Sequence, residues 1–281
     1  MILLDMSQLE QATVHGTCEG EPDIELYRHS IINSLRFFRT KHKEKYGEIV
    51  ICLDGDGYNY WRKQEFEHYK ASRKKSRAKS DINWTDVYAM FDLVRLELMQ
   101  NFPYKIVRVS CAEADDVIAV LSKEYQKYEK CLILSSDHDF FQLQQFKNID
   151  QYCLRKQKIV KEDNPREFLH EHIMRGDVGD GIPNFLSPIE TFVTEGTRQK
   201  SIMTKKMNDW VKQPAYSFCD TDMLKRYEEN KKLIDFACIP EDLTKEILDV
   251  YDDYKTSPRN KIMSYLIKNK LKLLLESLSE F

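Results

Sequence analysis

The chain has 281 residues, 42% of them hydrophobic and 32% charged, which is enough apolar material for one large domain or two modest ones. Its net charge of −3 excludes a general polyanion magnet, and no apolar run approaches the ~18–20 residues of a membrane span. Seven cysteines without a C-x-x-C pair read as free thiols in a reducing cytoplasm, and too few apolar residues precede Asp5 for a secretory signal.

Met1–Asp5 predicts a buried strand: short, continuous and apolar up to a polar stop. Residues 7–22, with two glycines and Pro22, predict a loop. Asp23 predicts the cap of a helix over 24–46, with Ile24, Ile31, Leu35 and Phe38 on one face and Gly47 beyond its end. Ile49–Leu53 predicts a second buried strand, broken by Gly55-Asp56-Gly57. Residues 61–79 are strongly basic. Trp84–Asn101 predicts an amphipathic helix, with Val87, Met90, Phe91, Val94 and Leu98 at the helical period and Pro103 past its end. Tyr104–Val109 predicts a third strand, Ala112–Tyr128 a helix, Lys130–Ser135 a fourth strand, and residues 148–153 and 157–160 short edge strands.

Strands alternating with helical patterns predict an α/β fold with a mainly parallel central sheet flanked by helices. Ligands bind such sheets outside the carboxyl ends of the strands. Beyond about residue 165 the sheet pattern ends. Residues 166–175 read as helix, 176–183 as a turn-rich break, and 184–200 carry no clear pattern. Helical patterns return from 221, over 240–254 with Pro240 in the first turn, and in a last helix from Ile262 to Leu278. The expected division is an α/β domain over 1–180 and a smaller all-helical region over 181–281 for duplex or partner binding. Leu278-Ser279-Glu280-Phe281 has two expected fates, docking to a sliding clamp or fraying, of which fraying is favoured.

Carboxylates appear where the apolar runs stop: Asp5, Asp54, Glu113, Asp115, Asp116, Asp137 and Asp139, with Asp177 and Asp180 in the later break. Each alone reads as a turn residue or helix cap. Gathered at one sheet edge they repel, by about 4 kcal/mol per pair about 4 Å apart at an effective dielectric of about 20. They therefore need protonation or cations. Hard oxygen ligands select Mg²⁺, with Mn²⁺ as the alternative. Two such ions about 4 Å apart clamp the attacking and leaving oxygens of a phosphodiester displacement. A calcium loop from Asp54 fails because Asn59 stands where glycine is required. His170-Glu171-His172 has the wrong spacing for zinc and reads as surface helix, and Asp5-Met6-Ser7 lacks the second aspartate of an aspartyl-phosphate phosphatase.

The basic stretch carries Arg62, Lys63, Lys70, Arg73, Lys74, Lys75, Arg77 and Lys79, interleaved with Trp61, Phe66 and Tyr69. A solvated charge run is the plain reading. Leaving the sheet beside Asp54, it instead suggests an arm that holds a phosphate backbone while aromatics stack on bases. Trp61, Arg62, Lys63, Tyr69, Lys74, Lys75 and Arg77 are the expected nucleic-acid contacts.

The segments LLDMSQ (3–8), CLDGDGYNYWRK (52–63), YKASR (69–73), AEADD (112–116), SSDHDFFQL (135–143) and GDVGD (176–180) together resemble the 5′-nuclease superfamily of flap endonucleases and 5′→3′ exonucleases, a PIN-like fold, and within it the ribonucleases H of T-even-like phages. The likeness continues at LIDFACIP (233–240) and YDDYKTSPRNKIMSYLIK (251–268). The resemblance implies a two-metal nuclease acting on DNA and RNA–DNA hybrid with a 5′ end or flap, and removal of lagging-strand RNA primers in the host cytoplasm. It implies that all nine carboxylates bind or orient metal, with Lys70 and Arg73 contacting the scissile phosphate. The expected partners are a single-strand-binding protein and a sliding clamp, and the expected state is a monomer. Two departures stand out: His138 replaces the family's glycine between the aspartates, and Gly181 replaces the asparagine after GDxxD, with no duplex-binding hairpin over 182–200. The rival readings are a PIN-like single-strand endoribonuclease and a non-catalytic DNA-binding replication scaffold.

Overall fold

The computed structural model describes residues 1–17, 23–71 and 82–281. Its sheet holds β1 (Ile2–Asp5), β2 (Ile49–Cys52), β3 (Lys105–Val107), β4 (Cys131–Leu134), β5 (Ile149–Cys153) and β6 (Lys158–Val160), in the order β3-β2-β1-β4-β5-β6. All neighbours are parallel except the antiparallel β5 and β6. Burial on both faces explains the continuous apolar runs. Ile2, Leu4, Ile49, Ile51, Leu132 and Leu134 enter one core. Met1, Leu3, Val50, Cys52, Cys131 and Ile133 enter the other. With a side-chain period of two and both faces covered, the central strands β1, β2 and β4 are apolar at every position up to Asp5.

The helices are α1 (Met6–Thr17), α2 (Ile24–Tyr46), α3 (Trp61–Glu65), α4 (Trp84–Asn101), α5 (Ala114–Tyr125), α6 (Pro165–Arg175), α7 (Thr204–Trp210), α8 (Thr221–Ile234), α9 (Glu241–Asp253), α10 (Asn260–Lys268) and α11 (Lys272–Leu275). The Asp23 carboxylate caps α2 by accepting from the backbone N–H of Glu25 and Leu26 at 2.9 and 3.1 Å. Ile31, Leu35, Val87, Val94, Ile262 and Leu274 of α2, α4, α10 and α11 cover the first sheet face. Val117, Leu121, Leu243 and Ile247 of α5 and α9 cover the second. A third, smaller core joins α6, α7 and α8 to Phe66 and Tyr69. The C-terminal helices α9, α10 and α11 thus pack directly on the sheet. No helix among the described residues is long and apolar enough to cross a membrane.

Three local expectations change. Residues 6–17 form α1 rather than a loop. Its apolar signal is sparse, but Met6, Leu9 and Val14 enter the first core, and buried Glu10 accepts from Arg95 Nε at 2.8 Å. Tertiary burial here overrides a weak local pattern. The last helix breaks after Lys268, where Lys270 adopts φ +57. The C-terminus neither frays nor offers its side chain for docking. Phe281 is fully buried against Phe102, ring centroids 5.8 Å apart, and the Glu280 carbonyl accepts from Arg39 Nη1 at 2.6 Å. Phe281→Ala is therefore expected to lower the unfolding free energy by about 3 kcal/mol. An unchanged urea midpoint would contradict that packing.

Candidate metal centre

Strand order reverses between β1 and β4, and that crevice is where open α/β sheets bind ligands. β1 ends at Asp5 and β2 runs on to Asp54. Glu113 and Asp115 start α5, Asp137 and Asp139 follow β4, and Asp177 and Asp180 lie in the turn after α6. Two glycines allow the close approaches this needs. At Gly55 an added Cβ would lie 2.1 Å from the Val109 carbonyl oxygen. The loop after β2 can thus bond to the segment before α5, through Gly55 N–H to the Ala112 carbonyl at 2.9 Å and Asp56 N–H to that of Ser110 at 2.9 Å. Gly176 has φ +68, and a Cβ there would meet the Ile182 carbonyl oxygen at 2.3 Å. The chain consequently folds back, and Ile182 N–H donates to the Asp177 carbonyl at 2.7 Å.

The carboxylates form two overlapping groups. Asp5 accepts from Ser135 Oγ at 3.0 Å and Gln8 N–H at 3.2 Å. Asp54 accepts from Ser7 Oγ at 2.5 Å and Ala114 N–H at 2.9 Å. Burial, then the charge of Asp54, pushes the Asp5 pKa up to about 7. Burial, with Asp5 and Asp137 beside it, pushes Asp115 well up. On the other side, burial and Asp137 raise Asp139 to about 7, with Asp177 and Asp180 adding to the effect. Burial also opposes ionisation of Glu113, but Lys70 and Arg62 overcome it and hold Glu113 at about 2. Asp177 is likewise held low against burial by His172 and the backbone N–H groups of Asp180 and Gly179. Crowded acids with raised pKa values, carried on separate elements, are what a functional site looks like electrostatically.

Eight of the nine predicted carboxylates meet here. Asp116 does not: it is 0% exposed, pairs with Arg62 at 2.8 Å, and accepts from Trp61 Nε1 at 3.1 Å and Glu113 N–H at 3.0 Å. Oδ2 carries the cap of α5 and Oδ1 faces the Arg62 charge in the interior, so the carboxylate is turned away from the crevice and the metal-ligand expectation is corrected. Three nucleic-acid contacts are corrected as well. Arg62 is 3% exposed and donates to the Leu233 carbonyl at 2.7 Å and to Glu113 at 2.9 Å. Trp61 is buried in the second core. Tyr69 is buried in the third, its hydroxyl 2.9 Å from Glu113 and 2.7 Å from Asp180. These side chains anchor the base of the basic stretch and have no surface for stacking. Lys63 stays partly exposed and donates to the Gly57 carbonyl. Lys70, at φ +59, donates to Glu113 and lies 3.5 Å from Asp180. Arg73, Lys74, Lys75 and Arg77 fall outside the described residues.

Supporting residues to which the sequence reading gave no role include Ser7, Gln8, Ser135 and Gln151. Gln8 Oε1 accepts from Ser136 N–H at 2.6 Å. Gln151 Nε2 donates to the carbonyls of Ser135 and Asp137 at 3.1 and 2.6 Å. The larger omission is His172, expected on the surface. It is only 15% exposed, with Nδ1 3.4 Å from Asp139 and Nε2 3.5 Å from Asp177. Burial disfavours its charged form, but Asp177 and Asp139 prevail and raise its pKa. Nδ1 is buried without a hydrogen-bond partner. A divalent cation fits this donor set of clustered carboxylates and an unpaired ring nitrogen. Asp137, His138, Asp139, His172 and Asp177 also line an open cleft of about 510 Å³ with Arg155. Exposed His138 stacks on Phe141 there, ring centroids 4.9 Å apart.

Comparison with known proteins is consistent over the whole length. Residues 20–171 match the model of the 5′-3′ exonuclease N-terminal resolvase-like domain, and residues 167–281 match that of the T4 RNase H C-terminal domain. The chain is 34% identical to the "Ribonuclease H" of Enterobacteria phage T4, covering 99% of this chain and 95% of that one. Its fold is shared with bacteriophage T5 5′-exonuclease bound to divalent metal ions (zinc): TM-score 0.63, 14% identity, 89% and 99% coverage. It is shared too with a T5 flap endonuclease in a pseudo-enzyme-product complex with DNA and metal ions: TM-score 0.59, 14% identity, 90% and 99% coverage.

The raised carboxylates set a pH dependence. With its folded pKa raised from 3.8 to about 7, Asp5 contributes stability fully below about pH 4 and loses it as pH rises through about 7. In metal-free protein, Asp5→Asn is therefore expected to raise the melting temperature at pH 8 by several degrees, on the order of 2 kcal/mol, and to change little at pH 4. A difference independent of pH would refute the electrostatic origin.

Proposed function

The chain belongs to the 5′-nuclease family of 5′→3′ exonucleases and flap endonucleases, and on that premise we propose that it hydrolyses phosphodiesters in DNA and RNA–DNA duplexes bearing a 5′ end or flap, using two divalent cations, Mg²⁺ first. Removal of RNA primers from phage lagging-strand fragments is the corresponding task, performed as a monomer in the host cytoplasm. The observation that carries this reading is the meeting of eight carboxylates at the β1–β4 crevice, beside the root of a basic stretch.

When bound, two cations supply the charge that activates the attacking water and steadies the leaving 3′ oxygen. The protein's part is positioning. Asp5, Asp54, Asp115 and Asp137 would hold one cation, and Glu113, Asp139, Asp177 and Asp180 would hold the other. Tyr69 and Arg62 hold Glu113, which, with Lys70 beside it, stays ionised although buried. Lys70 adds a positive charge for the phosphoryl oxygens. Its backbone is fixed by donation to the Asp180 carbonyl at 2.8 Å. Arg73 is proposed as its companion on sequence grounds alone.

The test is cleavage of a 5′-labelled flap, a nicked RNA–DNA hybrid and a blunt duplex, with Mg²⁺ and with chelator. Cleavage of the first two with Mg²⁺ and none with chelator is expected. Cutting of single-stranded RNA lacking a 5′ end would favour the PIN-like endoribonuclease instead. Asp137→Asn and Asp115→Asn are each expected to reduce cleavage to background while substrate binding persists; full Mg²⁺-dependent activity in either would sink the assignment. Lys70→Ala should slow the single-turnover rate by roughly 10²–10³-fold, and an unchanged rate removes Lys70 from the chemistry.

A further inference from the structure

We infer that His172 is a nitrogen ligand of the second cation position, which makes it a mixed oxygen–nitrogen site rather than an all-carboxylate one. This rests on the two-cation reading above. One ring nitrogen of His172 and one oxygen from each of Asp139 and Asp177 lie within 4.8 Å of one another. Metal ions hold such donors at about 2.0–2.2 Å, so donors sharing an ion lie roughly 3–4 Å apart. The Nδ1–Asp139 separation of 3.4 Å falls in that range, while Asp177, 3.5 Å from the other ring nitrogen Nε2, orients the ring.

The neighbouring histidine supplies the contrast. His170 has both ring nitrogens answered, by the Tyr227 hydroxyl at 2.7 Å and the Gln213 carbonyl at 2.9 Å. That is how a structural histidine on this helix is satisfied. His172 leaves Nδ1 buried and without a hydrogen bond, which a protein interior normally avoids. Its ring is also held in place. Phe168, one turn earlier on α6, meets it edge-on with centroids 5.8 Å apart, and Phe168 in turn abuts Phe141 at 5.3 Å. Asp177 is fixed from the other side by the Asp180 N–H at 3.0 Å. The donors are thus pre-set by packing, as a metal site requires.

The consequence is selectivity. A nitrogen donor favours transition ions, Mn²⁺ the least of them and Zn²⁺ more, over Mg²⁺, which prefers oxygen donors and retained water. The second position therefore favours Mn²⁺ over Mg²⁺, while the Asp5, Asp54, Asp115 and Asp137 position keeps hard-oxygen character.

The experiment is a Mn²⁺ titration of the full chain, followed by electron paramagnetic resonance, with pulsed detection of ¹⁴N coupling at saturation. Two bound Mn²⁺ with the coupling of a directly bound imidazole are expected. In His172→Asn the coupling should vanish and the second Mn²⁺ weaken by about tenfold, with the first unaffected. His172→Asp, which restores an oxygen donor, should keep two Mn²⁺ without the nitrogen signal and lose preference for Mn²⁺ over Mg²⁺. His138→Ala should keep the coupling. Two bound Mn²⁺ with no nitrogen coupling in the unmodified protein, or coupling that survives in His172→Asn, overturns the inference and leaves the proposed function standing. Failure to bind any Mn²⁺ overturns both.

Discussion

Arg62 is the interaction on which the site depends. One buried guanidinium reaches Glu113 and Asp116 at the start of α5 and the Leu233 carbonyl near the end of α8. A buried charge is costly unless it is paired and hydrogen-bonded, and here two carboxylates and a carbonyl satisfy it. The pairing sets the first turn of α5, and through it the backbone on which Asp115 sits. It also joins the root of the basic stretch to the helical half of the chain. Lys70 and Tyr69 continue the same network to Asp180. Positive charge from one short segment thus organises acids from both halves of the chain.

The acids left outside that network repel one another. Glu113 and Asp177 have partners within the protein and stay ionised; Asp5, Asp115 and Asp139 have raised pKa values. The division is functional in kind. The paired acids keep their charge and position without a cation, and the others need a cation or a proton to lie so close together. A site of this sort trades stability for chemistry, as catalytic sites commonly do.

The sheet was legible because strands buried on both faces read as unbroken apolar runs that stop where the sheet stops. Asp5, Asp54, Asp137 and Asp139 were found by that stop. What sequence could not resolve was direction. Asp115 and Asp116 are adjacent in an identical acidic pair, yet helical geometry sends them about 100° apart, one into the crevice and one onto Arg62. Trp61, Arg62 and Tyr69 sit in a basic run that looks like a nucleic-acid surface, and only tertiary packing shows them facing inward. His172 was lost among polar residues of an ordinary helix, and its role emerges only where Gly176 turns Asp177 back towards it. Helix α1 failed for the opposite reason: its three core contacts are too few to leave a periodic trace.

The burial of Phe281 has a consequence for folding. The first sheet face is lined by Ile2, Leu4 and Ile49 early in the chain, and is closed by Leu266, Leu274 and Phe281 at its end. β1 likewise pairs with β4 across some 130 intervening positions. Such long-range closure is slow and leaves apolar surface bare while it waits. Closing that face brings the earliest strands together with the latest helices, so the crevice at its edge is held by contacts of the longest sequence separation, the slowest kind to form.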